Sequence, residues 1–169
     1  MKDIRKLTLL ANLLAIAIVL NIIESAIPII PVPGAKLGFA NVVTIIVLYG
    51  YSFKDSFTLT LMRVLAVALL AGRIFQPAFF MSLSGAFVST LVMGLIKKTN
   101  FFGMIGVSVI GSITHAIGQV VAGVFVIGSV VVLLYLPIML FLSVPAGALT
   151  GIIAQRFYTL WRSWQKEVA

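Results

Sequence analysis

At 169 residues, 62% hydrophobic and only 9% charged, with a mean hydropathy of +1.21, the chain has too little polar surface to cover an aqueous globule. Its net charge of +8 comes from 12 basic and 4 acidic residues, and the basic ones stand between and beyond apolar runs, a membrane-topology pattern that excludes a nucleic-acid surface. One histidine and no cysteine exclude disulfides, thiol chemistry and clusters of His/Cys metal ligands.

Lys2, Arg5 and Lys6 precede an apolar run over Leu7–Ile27, the layout of a secretory signal. The run exceeds a signal core in length, and Glu24 breaks the small-residue cleavage pattern near Ala26, so it reads as a retained first helix. Polar and Pro/Gly punctuation then predicts further helices at roughly 37–51, 55–72, 78–96, 102–127 and 130–155, after a first at roughly 7–27. Gly128-Ser129 predicts a tight hairpin between the last two, and Pro137 and Pro145 predict a kinked sixth helix. The expected fold is an all-α membrane protein, a single integral domain over 1–169 with about six transmembrane helices.

Orientation follows from the basic residues. Lys2, Arg5, Lys6, Lys54, Lys97, Lys98, Arg156, Arg162 and Lys166 fall on one side, Lys36 and Arg73 on the other, and Arg63 within a helix. The positive-inside rule then places both termini in the cytoplasm of a prokaryotic plasma membrane. Tyr49, Tyr51, Trp161 and Trp164 lie on that same face, where amphipathic rings favour the headgroup region. On the outer side the longest connection is Pro28–Lys36, stiffened by three prolines and turned at Gly34.

An ionisable side chain near the bilayer centre costs about 2.5–3.5 kcal/mol, so each asks for a partner, a wet cavity or a ligand. Glu24 near the outer end of the first helix, Arg63 midway along the third and His115 near the middle of the fifth are the candidates, expected to converge on one cavity. Glu24 and Arg63 read either as a buried ion pair that sets helix packing or as ligand contacts. His115 shares a helix face with Gln119 four residues on, either for packing or for ligand contact. Asn41 and Lys36 complete the candidate substrate-binding set, with Asn12, Asn21 and Thr44 as weaker polar neighbours.

Small residues let helices approach closely in lipid. Ala11xxxAla15 lies in the first helix, Gly147xxxGly151 in the sixth, and Gly106, Gly111, Gly118 and Gly123 along the fifth; internal packing is the commoner reason for such spacing. Four acidic residues, Asp3, Glu24, Asp55 and Glu167, offer neither paired carboxylates for acid–base chemistry nor a metal–diphosphate site. No phosphate-binding Gly-Lys-Ser/Thr loop occurs either. The reading is of a chain without catalytic residues, metal or cofactor.

The stretch from Ile23 to Asn41, with Arg63 and Thr114-His-Ala-Ile-Gly-Gln119 downstream, resembles the Gx transporter family, also described as heptaprenyl diphosphate synthase component I. That family is similar in helix count and size to the substrate-binding S components of energy-coupling factor transporters. The resemblance implies a small ligand held near the outer face, a first external loop that closes over it at Pro28–Lys36, and an Ala11/Ala15 face that packs on a membrane coupling subunit served by ATPases. The ligand it implies is a nutrient or precursor, isoprenoid-related or anionic, and Lys36, Arg63 and Arg73 suit an anion. The alternative is a non-catalytic membrane partner or scaffold for a prenyl synthase or a redox assembly. A self-sufficient secondary carrier fits less well, for want of an inverted repeat and of membrane carboxylates for ion coupling.

Overall fold

The structure, a computed structural model, describes residues 2–26 and 38–167. Among them are six α-helices: α1 Lys2–Ala26, α2 Phe39–Gly50, α3 Phe53–Leu70, α4 Pro77–Thr99, α5 Met104–Ile127 and α6 Leu136–Glu167, with a 3₁₀ turn at Val130–Tyr135. No strand occurs among the described residues. Lipid offers the backbone no hydrogen bonds, so a helix that satisfies its own N–H and C=O groups is the natural solution for such a sequence. Ile4–Ser25, Pro77–Thr99, Met104–Ile127 and Val130–Ser163 are long and apolar enough to cross a bilayer, and large apolar side chains such as Leu69, Phe125 and Phe141 face outward. The chain is a multi-pass, all-α membrane protein.

Local signals place the helix ends. Ser52 and Asp55 form a capping box at the start of α3, the Asp55 N–H donating to Ser52 Oγ at 3.1 Å. Gly128 ends α5 in a left-handed turn at φ +70°, where a tight hairpin was expected, and the 3₁₀ turn at Val130–Tyr135 delays the start of α6 from 130 to Leu136. Pro137 does not interrupt the sixth helix as expected. It is the second residue of α6, within the first turn, where a missing N–H has no intrahelical partner to lose; Pro145 alone lies inside. The helix also runs on to Glu167 rather than ending near 155, because Tyr158 and Trp161 pack on the end of α2.

Contacts between helix ends give the topology. Lys6 of α1 pairs with Asp55 of α3 at 2.8 Å, Lys97 of α4 donates to the Leu48 carbonyl of α2 at 2.6 Å, and Tyr158 of α6 donates to the Tyr49 carbonyl at 3.3 Å. The Tyr51 and Trp161 rings stack 5.6 Å apart beside them. The start of α1 and α3 and the end of α2 and α4 therefore share one face with the later part of α6, so neighbouring helices alternate in direction. That face carries the expected belt of aromatic and basic residues; the Trp164 side chain lies outside those described. At the centre of the tightest packing, α5 sits between α4 and α6.

Candidate functional site

The polar cluster is built where α1, α2 and α3 meet. With 12 residues, α2 is about 18 Å long against about 30 Å of hydrocarbon. Its end at Gly50 lies beside the aromatic belt, so its start stops about 12 Å short of the opposite interface. A helix N-terminus at that depth presents unpaired N–H groups and positive partial charge inside the membrane. Gly38, left-handed at φ +82°, opens the helix, and its N–H donates to the Glu24 carboxylate of α1. Glu24 is buried and acts electrostatically on Arg63.

Arg63 of α3 is only 3% exposed. Its two terminal nitrogens donate to Asn41 Oδ1 at 3.3 and 3.2 Å, while its Nε is buried without a hydrogen-bond partner. The register that creates this contact is readable along the antiparallel pair. One turn away, Thr44 and Thr60 hydroxyls lie 3.0 Å apart, and Ser56 donates to the Thr44 carbonyl at 2.8 Å. Positions three apart on each helix thus meet, and the Thr44–Thr60 rung sets Asn41 opposite Arg63.

Of the sequence-predicted residues, Glu24, Asn41 and Arg63 come together. Lys36 and the 28–36 loop lie outside the described residues. His115 and Gln119 sit on α5, along its seam with α4. A Cβ at Gly85 of α4 would lie 2.8 Å from the His115 carbonyl oxygen and 3.0 Å from its Nε2. Three residues on, Ser84 donates to the Gly118 carbonyl at 3.0 Å, and Gln119 is buried. This segment closes two helices onto each other.

Two features escaped the sequence reading. One is the Gly38 N–H that Glu24 accepts, since nothing in the composition marks where a short helix begins. The other is a hollow of about 300 Å³ between α1, α3 and α4, lined in part by Asn21, Ser25, Arg73 and Ser82. Those residues are far apart in the chain, and Arg73, suited with Lys36 and Arg63 to an anion, gave no sign of the helices it would stand between.

The small-residue motifs have opposite fates. A Cβ at Gly147 would lie 2.7 Å from Val109 Cα, and one at Gly151 2.8 Å from Ile105 Cα, so that pair closes α6 onto α5. Gly111, Gly118 and Gly123 face α4 side chains or the adjoining turn, whereas Gly106 meets Phe102 of its own segment. Ala11 and Ala15 are exposed on the outer surface of α1.

Residues 13–157 match heptaprenyl diphosphate synthase component I. The chain belongs to that family. No curated protein and no solved structure matches it. The family match takes in Glu24, Asn41, Arg63, His115 and Gln119, and it begins between Ala11 and Ala15. The family is named as one component of a larger assembly, which a partner subunit fits.

Proposed function

We propose that this chain is the substrate-binding membrane subunit of an uptake system for a small organic nutrient or precursor, working with a separate ATP-driven coupling module. The observation that carries the reading is the buried Arg63 guanidinium, with a spare Nε donor, beside a helix that starts within the membrane. Discontinuous helices whose N-termini face a buried site are a recurrent way to receive an anionic substrate group. The cluster holds one carboxylate, Glu24, against that guanidinium and the helix start, which favours an anionic ligand such as a vitamin, a quinone precursor or an isoprenoid diphosphate. The exposed Ala11/Ala15 face of α1 is the surface offered to the coupling subunit, and the excess of basic residues at the belt end sets both termini in the cytoplasm. With four acidic residues in the whole sequence, catalysis belongs to other subunits.

Equilibrium binding to purified protein tests the ligand class. Prenyl diphosphates, quinone precursors and flavins are the probes, and Arg63→Gln is expected to weaken the preferred anion by about tenfold or more. Absence of any preference for anions overturns the reading. Ala11→Leu with Ala15→Leu is expected to abolish uptake while binding stays intact. The family description favours a second reading, a non-catalytic membrane partner of a prenyl diphosphate synthase. Pull-down from native membranes separates the two: a coupling subunit with ATPases supports uptake, a soluble synthase supports the partner role.

A further inference from the structure

The hollow between α1, α3 and α4 shares no residue with the Arg63 cluster. Val64, Ala68 and Phe79 give it a buried apolar floor, and the Phe79 ring is braced edge-on by Phe75 and Phe80. Asn21 and Ser25, one turn apart on α1, line its wall, the Ser25 hydroxyl donating to the Asn21 backbone carbonyl at 2.7 Å, and Ser82 of α4 adds a hydroxyl. Arg73 is positioned by the turn between α3 and α4. Gly72 there is left-handed at φ +62°, and the Arg73 N–H donates to the Ala68 carbonyl at 2.9 Å. Ala71 and Ala78, both exposed, leave the mouth open.

Charge decides what fits. Arg73 makes no ion pair among the described residues, and Asp55 lies at the opposite end of the bundle beside Lys6. The nearby start of α4 at Pro77 adds positive partial charge. At liquid density, about 300 Å³ holds the volume of about ten waters, the small end of the range for ligand pockets. That is room for a headgroup and a short apolar segment.

We propose that this hollow binds an amphiphilic anion, with its phosphate or carboxylate on Arg73 and Ser82, and its apolar part against Val64, Ala68 and Phe79. A phospholipid headgroup and a free amphiphile share that chemistry. The site goes beyond the uptake reading and stands whether or not that reading holds.

Calorimetry on the full chain in phosphatidylcholine nanodiscs tests it, with hexyl phosphate as probe. Saturable binding is expected, with hexanol and inorganic phosphate each weaker by about tenfold or more. Arg73→Gln, in an exposed turn, is expected to weaken hexyl phosphate by about tenfold, and Ala71→Phe, which fills the mouth, to abolish binding. Lys98→Gln at the opposite end leaves it unchanged, and size exclusion checks that each variant is folded. Hexanol or inorganic phosphate binding as tightly as hexyl phosphate, or unchanged binding by both Arg73→Gln and Ala71→Phe, overturns the site. Replacing part of the lipid by phosphatidic acid separates the sources. Competition with hexyl phosphate assigns the site to lipid, unchanged affinity assigns it to a free amphiphile, and either upholds the site.

Discussion

Ala11xxxAla15 of α1 and Gly147xxxGly151 of α6 are the same pattern of small residues one turn apart, and the bundle treats them in opposite ways. The glycines lie against the α5 backbone with no room for a methyl group, and Ser108 of α5 donates to the Gly147 carbonyl at 2.7 Å and lies 2.9 Å from the Thr150 hydroxyl. The alanines face outward, next to an exposed Asn12. Close approach is what the spacing permits; whether a helix arrives is set by the rest of the fold. In lipid no hydrophobic drive brings two helices together, so shape and hydrogen bonds decide which small-residue face is filled.

That contrast can be broken by filling each face. Gly147→Leu has the largest expected effect, because Val109 Cα stands in the way. A loss of at least about 3 kcal/mol is expected in unfolding of the purified protein in mild detergent. Gly85→Ala tests the α4–α5 seam, where the new methyl meets the His115 backbone; the net cost is about 1–2 kcal/mol, since alanine recovers up to about 1 kcal/mol of helix propensity. Ser52→Ala removes the cap of α3 and is expected to cost about 1 kcal/mol in the same assay. Ala11→Leu with Ala15→Leu is the smallest, within about 0.5 kcal/mol of the parent, because the side chains extend into lipid. A destabilisation by that pair as large as that of Gly147→Leu would mean that α1 is closed on that side, and the proposed partner face would be lost with it.

Much of the bundle is legible along the chain. Gly128 ends α5 where a hairpin was expected, Ser52 and Asp55 cap α3 at the spacing that a capping box needs, and the aromatic belt sits at the basic end. Arg63 announces itself as an ionisable residue in an apolar run. Asn41 stands in the candidate set as well, but one asparagine among several carries no label for the helix it will face. The same holds for His115: a polar residue at mid-helix signals that something must satisfy it, and only the fold shows that its helix turn lies against Gly85 of α4.

Composition and punctuation alone determined that this chain crosses a membrane as helices, and about where all but the sixth begin and end. A backbone in lipid must satisfy its own hydrogen bonds, which makes helix length and hydropathy a local property of the sequence. Only the tertiary structure decided that Glu24 meets the start of α2, that Arg63 meets Asn41, and that Arg73 stands at a hollow between three helices. Those are lateral matters of register and depth, fixed by many small packing and hydrogen-bonding choices spread over distant segments. The paired alanines of α1 are the remaining case, because their partner, if the uptake reading holds, is another chain.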